Sequence, residues 1–312
     1  MKIKIGVDFG ASRVKVAFKN RQGELVKKTF ANRYYEGNSN SSSGYLVERN
    51  GEIVRIAGTK GKSNRVDVKL NYQHLEEILL VVGYLVREEY KEGDKYISLE
   101  IETLLPPRQF QTIDEEFKDK LKAYGTIKGK VEGVQLEVIV DKVSVNCEGV
   151  ALLDALDMNE FAGGIDRVFL VDAGSSTVDW VDFEREDGAW GIVDADTLMD
   201  VGGATMIAAI ASALEKEYPG EKFDADILEK KMHYLLGDEQ YNLIDVVDYA
   251  DKVVASMKPE LERAYKGGKV VVTGGAAELL MASSKFKEIF PRAILVEEDI
   301  RSFGNAVGAL YS

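Results

Sequence analysis

The segment LVDAGSSTVDWVDF, Leu170–Phe183, repeats the plan of an earlier one, IGVDFGASRVKVAF, Ile5–Phe18. Each reads as an apolar run reaching an Asp, a Gly-bearing turn of small residues, and a second alternating run. That is the pattern of a hairpin with a carboxylate and bare backbone amides at its tip. Small tip residues let a phosphate come close, successive N–H groups make an anion-binding concavity, and the carboxylate can hold a hydrated divalent metal. One Asp-x-Gly hairpin is ordinary turn chemistry. Two, at matching places in the two halves, imply a duplicated architecture with a nucleotide held between the halves.

Outward from the first hairpin, Glu24 to Ala31 reads as a strand, Tyr34 to Gly44 as a polar loop, and Tyr45 to Ala57 as a hairpin around Asn50-Gly51. Gly61-Lys62-Ser63 imitates the end of a P-loop, but the first glycine of that motif would fall at Ile56 and no apolar helix opens behind it. Tyr72 to Tyr90 carries Leu75, Ile78, Leu79, Val82 and Leu85 at helical spacing, Ile97 to Leu105 reads as a strand ending at Pro106-Pro107, and Asp114 to Tyr124 as a short amphipathic helix. Val131 to Val145 alternates, Glu148 to Leu156 turns helical, and the join near Ala162 reads as a crossing between domains. Past the second hairpin, Gly202 and Gly203 open a helix from Ala204 to Glu217, whose N-terminal amides are offered to anions. Asp226 to Leu236 and Ile244 to Tyr265 read as helices, and Lys269 to Thr273 as a buried strand ending in Gly274-Gly275-Ala276-Ala277. A short strand, Arg292 to Val296, precedes the small-residue helix Ser302 to Leu310, suited to close packing.

The 312 residues suffice for two domains with ample cores. A formal charge of -13 argues against a direct grip on nucleic acid, so any link to DNA requires an adapter. The N-terminal MKIKIG lacks the pattern of a signal peptide or membrane helix, and no run approaches spanning length. One cysteine, Cys147, excludes an internal disulfide framework, and His74 and His233 lack metal-ligand spacing. A cytoplasmic protein is expected.

The ordered motifs resemble the actin-like ATPase superfamily, over nearly the whole chain. Asp8, Gly10, Ser12 and Lys15 match the first phosphate motif, and VSVNCEGVALLDAL (Val143 to Leu156) matches the first connecting motif. Asp172, Gly174, Ser175, Ser176, Thr177 and Asp179 match the second phosphate motif. VVVTGGAAELL from Val270 matches the adenosine motif, and SFGNAVGALY from Ser302 the second connecting helix. Size, the pattern after Tyr45 and a glutamate at Glu148 look most like the ParM-type plasmid-segregation actins. The resemblance implies an α/β actin-like fold: two related domains, each a mixed sheet with flanking helices, around a nucleotide cleft. Domain I would cover 1–162, with the C-terminal helix 302–312 packing back on it, and domain II 163–301. Two departures stand out: Ala11 where many members have a hydroxyl, and Cys147 where relatives commonly have proline. Cys147 reads as a small buried hydrophobe.

Carried over residue by residue, the resemblance implies ATP or GTP with Mg2+ as ligands. Asp8 and Asp172 would hold the metal largely through its waters, because Mg2+ dehydrates reluctantly. Lys15 would meet phosphate oxygens, alongside the tip residues Gly10, Ala11, Ser12 and Arg13. Glu148 would orient the attacking water, making Glu148, Asp8 and Asp172 the catalytic set. Gly174, Ser175, Ser176 and Thr177 would cradle phosphate, and Gly202 and Gly203 would cap its terminal region. Gly274, Gly275 and Ala276 would admit ribose and adenine, and Glu229 and Lys230 fall at the purine side. The leading function is a self-polymerising ATPase that drives plasmid DNA segregation through a DNA-binding adapter protein, without membrane or direct nucleic-acid contact. Head-to-tail contacts that do not close would generate the filament. A non-polymerising small-molecule kinase or phosphatase of the same superfamily, or a nucleotide-gated chaperone or scaffold, are the alternatives, since fold does not fix function.

Overall fold

The computed structural model describes residues 1–37, 43–57, 61–63, 68–90, 95–156 and 162–312. The chain divides into two compact units, Met1–Leu156 with Phe303–Ser312, and Asp157–Ser302. No helix among the described residues is long and apolar enough to cross a membrane.

The first unit is built on a mixed sheet whose strands are β1 (Lys2–Phe9), β2 (Arg13–Lys19), β3 (Leu25–Ala31), β4 (Arg33–Glu36), β5 (Tyr45–Arg49), β6 (Glu52–Ile56), β7 (Lys62–Ser63), β8 (Tyr96–Leu105), β9 (Thr126–Val131) and β10 (Val134–Cys147). Their order is β3-β2-β1-β8-β10-β9-β5-β6-β4-β7. β1 and β2 form the first hairpin, with Asp8 opposite Lys15, while β8 runs parallel to both β1 and β10. Val7, Val16, Leu99 and Val138 are buried within the sheet, and Leu79, Leu80 and Val82 are buried on the helix Leu75–Tyr90 packed against it. The helix Pro107–Ala123 packs on β8 and β10. The last part of the C-terminal helix, Glu298–Tyr311, rests against β1 so closely that a Cβ on Gly6 would lie 1.9 Å from Ala306 O, and one on Gly308 only 1.8 Å from Ala151 O. The small residues of that helix are what allow this approach, as its composition anticipated.

The second unit repeats the beginning of this plan. Its strands β11 (Arg167–Ala173), β12 (Thr177–Glu186), β13 (Ala189–Met199), β16 (Lys269–Thr273) and β17 (Ile294–Leu295) are ordered β13-β12-β11-β16-β17, hairpin on one side and parallel strands on the other, as in β3-β2-β1-β8-β10. A separate two-stranded ribbon joins β14 (His233–Leu236) to β15 (Glu239–Asn242). The helix Gly203–Glu217 buries Ile207, Ile210 and Leu214 in a core shared with Phe169, Leu243, Met257 and Phe286. The expected mixed sheets with flanking helices are therefore present in each unit.

Several boundaries differ from the sequence expectation. Tyr34 to Glu36 lie in a strand, β4, and the rest of the expected loop falls largely outside the described residues. Lys62–Ser63 pair with β4, and the rest of that P-loop imitation lies mostly outside the described residues. The helix expected at Asp114 begins at Pro107, because proline suits a first helical position that needs no N–H. Between Glu148 and Leu156 the chain turns and makes the short helix Leu152–Ala155. The helix read over Asp226 to Leu236 is Ala225–Lys231, stopped by Met232 in the left-handed region (φ 56°) and followed by the β14-β15 ribbon. Ile244 to Tyr265 divides into a 3-10 segment, Leu243–Ala250, and the helix Asp251–Ala264.

Candidate phosphate-binding sites of the two units

In open α/β sheets, ligands are bound beyond the carboxyl ends of parallel strands. β1, β8 and β10 are parallel neighbours, and their carboxyl ends carry Asp8, Leu104 and, one residue past β10, Glu148. Register alone brings these positions together. The Lys15 ammonium lies 3.1 Å from Asp8 Oδ2. The tip of the hairpin, Gly10, Ala11, Ser12 and Arg13, is held by the buried Asn32, whose side chain donates to Gly10 O at 2.8 Å and whose N–H donates to Ser12 O at 2.8 Å. Arg13 itself is exposed. Glu148 is anchored through its N–H to Leu105 O at 2.8 Å, and Gly149 N–H donates to Asn305 Oδ1 at 3.2 Å. Cys147 is buried and its Sγ lies 3.4 Å from Glu148 O, in keeping with a packing role.

Sequence reading missed one residue of this group. Lys69, only 5% exposed, lies at the start of the 3-10 turn Lys69–Asn71 and forms an ion pair with Glu148. Its ammonium also donates to Leu104 O at 3.2 Å and lies 3.7 Å from Asp8 Oδ1. Burial works against the charge on Lys69, but the Glu148 and Asp8 carboxylates outweigh it and hold the pKa above the usual lysine value. Burial likewise works against ionisation of Asp8, and the Lys15 and Lys69 ammonium groups more than reverse it, so its carboxyl sits below the ordinary value. The neighbouring Tyr72 is pushed up, chiefly by burial. The result is a charged cluster, fixed in place before any ligand arrives.

In the second unit β11 and β16 are parallel, and their carboxyl ends carry Asp172 and the Gly274 turn. The hairpin tip is closed by Gly174 N–H donating to Thr177 O at 2.9 Å, and Thr177 Oγ1 donates to Asp179 Oδ2 at 3.1 Å. The helix Gly203–Glu217 is stitched to that tip: Gly203 N–H donates to Gly174 O and Ala204 N–H to Ser175 O, each at 2.9 Å, and Gly202 N–H donates to Ser176 O at 3.3 Å. Ala276 N–H reaches Ala173 O at 2.8 Å. At Gly274 φ is +95°, and a Cβ there would lie 2.3 Å from Asp172 Oδ1, so only glycine fits. A Cβ on Gly275 would meet nothing within 4 Å. Ser175 Oγ donates to Glu229 Oε1 at 2.8 Å, which joins the helix Ala225–Lys231 to the tip of the second hairpin. Lys230 is exposed and is not brought to this group.

The carboxylates of Asp8 and Asp172 are both nearly buried and offer the hard oxygens that suit Mg2+. Among the described residues no group of three or more His, Cys, Asp or Glu side chains gathers as a metal cage. Each carboxylate, taken singly within its own unit, offers the kind of donor that Mg2+ accepts while keeping most of its waters.

The architecture is that of the actin-like proteins, and structural comparison agrees along essentially the whole chain. A ParM filament from Clostridium botulinum has a TM-score of 0.75 at 16% identity, covering 99% of this chain and 98% of that one. An archaeal actin homologue in complex with ADP has a TM-score of 0.72 at 18% identity, with 99% and 98% covered. The actin-like protein Alp7A has a TM-score of 0.68 at 18% identity, with 100% and 96% covered. No protein-family model and no curated protein sequence matches the chain.

Proposed function

We propose that the chain is a cytoplasmic ATPase that binds ATP, or GTP, with Mg2+, polymerises with itself head to tail, and moves plasmid DNA through a DNA-binding adapter protein. The observation that carries the reading is the charged cluster of buried Asp8, Lys69 and Glu148 with the half-buried Lys15 of β2, at the carboxyl ends of β1, β8 and β10, within an actin-like fold. Hydrolysis of a terminal phosphate needs positioning, charge neutralisation and an oriented water. Lys15 and the amides of both hairpin tips would bind phosphate oxygens; Glu148 would orient the water; Asp8 and Asp172 would hold Mg2+, which neutralises developing charge when bound. Gly202, Gly203 and the Gly274-Gly275-Ala276 turn would accept the remaining phosphate and the nucleoside, with Glu229 beside them. The resemblance to a ParM filament and to an ADP-bound archaeal homologue supports the filament and the nucleotide. The net charge of -13 supports an adapter in place of direct DNA contact.

Calorimetric titration with ATP and GTP, with Mg2+ and with EDTA, run beside phosphate release, tests this reading. Mg2+-dependent binding and turnover are expected. Absence of binding to either nucleotide would remove the nucleotide from the account.

A further inference from the structure

Lys69 is delivered to the site from outside the two hairpins, and its delivery is independently anchored. Its backbone N–H donates to Gln109 Oε1 at 2.9 Å, and the next carbonyl, Leu70 O, accepts from Lys120 Nζ at 2.5 Å. Both anchors stand on the helix Pro107–Ala123. An ammonium has three protons, and that of Lys69 faces three acceptors: Leu104 O, Glu148 Oε1 and Asp8 Oδ1. Two of these belong to the sheet itself, so the ammonium is a fixed point from which the Glu148 carboxylate is held.

We propose that Lys69 is the positioning residue for Glu148, holding Oε1 so that the direction of Oε2 toward the attacking water is set before the nucleotide binds. The inference rests on the reading that Glu148 orients that water. An ion-paired carboxylate is a weak base but a well-aimed acceptor. That suits phosphoryl transfer, where positioning and charge stabilisation do most of the catalysis. Lys69 also keeps the negative charge of Asp8 and Glu148 from pushing the two carboxylates apart.

The test is a double-mutant cycle in the intact chain, with turnover at saturating Mg-ATP, ATP affinity and melting temperature read for Lys69→Met, Glu148→Gln and the double variant. Positioning predicts that Lys69→Met lowers turnover by roughly a hundredfold with ATP affinity essentially unchanged, as expected for a misplaced catalytic group. It also predicts no further loss when Lys69→Met is added to Glu148→Gln. Wild-type turnover in folded Lys69→Met, or losses that multiply in the double variant, would overturn it. Should Lys69→Met fail to fold, because it leaves two buried carboxylates face to face, Lys69→Arg keeps the charge and shifts its position. Reduced turnover at retained affinity is then expected, and wild-type turnover would overturn the inference. Undiminished turnover in Glu148→Gln would instead remove the reading beneath it.

Discussion

Asp8 and Lys15 stand opposite each other across the first hairpin with their side chains 3.1 Å apart, whereas at the matching place in the second hairpin Asp172 stands opposite Asp179. The two hairpins share a backbone plan and differ in charge: the first carries its own cation. If Lys15 turns to phosphate oxygens, Lys15→Ala should weaken ATP binding by roughly tenfold to a hundredfold, the worth of one charge-assisted hydrogen bond. Titration calorimetry measures it. Unchanged affinity would leave Lys15 as a partner of Asp8 alone.

Asp172→Asn should weaken binding of Mg-ATP, or its hydrolysis, without unfolding the chain. The carboxylate is proposed to serve the metal, and its strand is held by ladder bonds to β12 and β16 that the substitution leaves intact. Calorimetry and phosphate release decide the matter, and wild-type values in both would exclude Asp172 from the site.

The adjacent glycines of the turn after β16 should respond in opposite ways. Gly274→Ala forces a Cβ into Asp172 and Ala173 O at a positive φ, and should cost about 2–4 kcal/mol from strain and overpacking together. Gly275→Ala enters open space, and its stability should stay within about 0.5 kcal/mol of wild type. Urea unfolding compares the two; equal losses would contradict the close approach at Gly274.

His74 sets a pH-dependent tie in the first unit. Its ring lies 4.4 Å from that of Tyr34, with Nδ1 3.5 Å from Glu77 Oε2 and Nε2 3.5 Å from Glu36 Oε1, while Arg49 also engages Glu77 at 3.1 Å. The hydrogen bond to Glu77 raises the His74 pKa above its ordinary value, despite partial burial. A raised folded-state pKa stabilises fully below the unfolded value of about 6.5, and the gain is lost as pH rises through the folded value. Thermal unfolding between about pH 5.5 and 8.5 should show wild type gaining on His74→Gln toward acid. Parallel curves would remove His74 as the titrating group.

Much of the candidate site could be read in the sequence because its chemistry is local: each hairpin states its Asp, its turn and its second strand within 14 residues. Glu148 was legible from the motif around it. Lys69 was not, since a single lysine in VDVKLNY carries no local signal, and its place is fixed by Gln109 and Lys120, 40 and 50 residues from the positions they hold. Of the elements that were misread, one turned on local chemistry: Pro106-Pro107 does end the strand, but Pro107 also opens the helix that the sequence reading began at Asp114. Pairing decided another: LEKKMHYLL has helical composition that pairing with Glu239–Asn242 overrides.

Sedimentation of the purified chain with Mg-ATP, with Mg-ADP and without nucleotide, for wild type and Glu148→Ala, tests the polymerising ATPase most directly. Wild type should pellet with ATP, fail to pellet with ADP or alone, and return to the supernatant as phosphate is released. Glu148→Ala should retain ATP binding, hydrolyse roughly a hundredfold more slowly, and give longer-lived polymer, since loss of a group that orients the water slows the step that precedes disassembly. ATP turnover by a chain that stays in the supernatant under all three conditions would contradict the filament and favour a small-molecule kinase or phosphatase on the same fold.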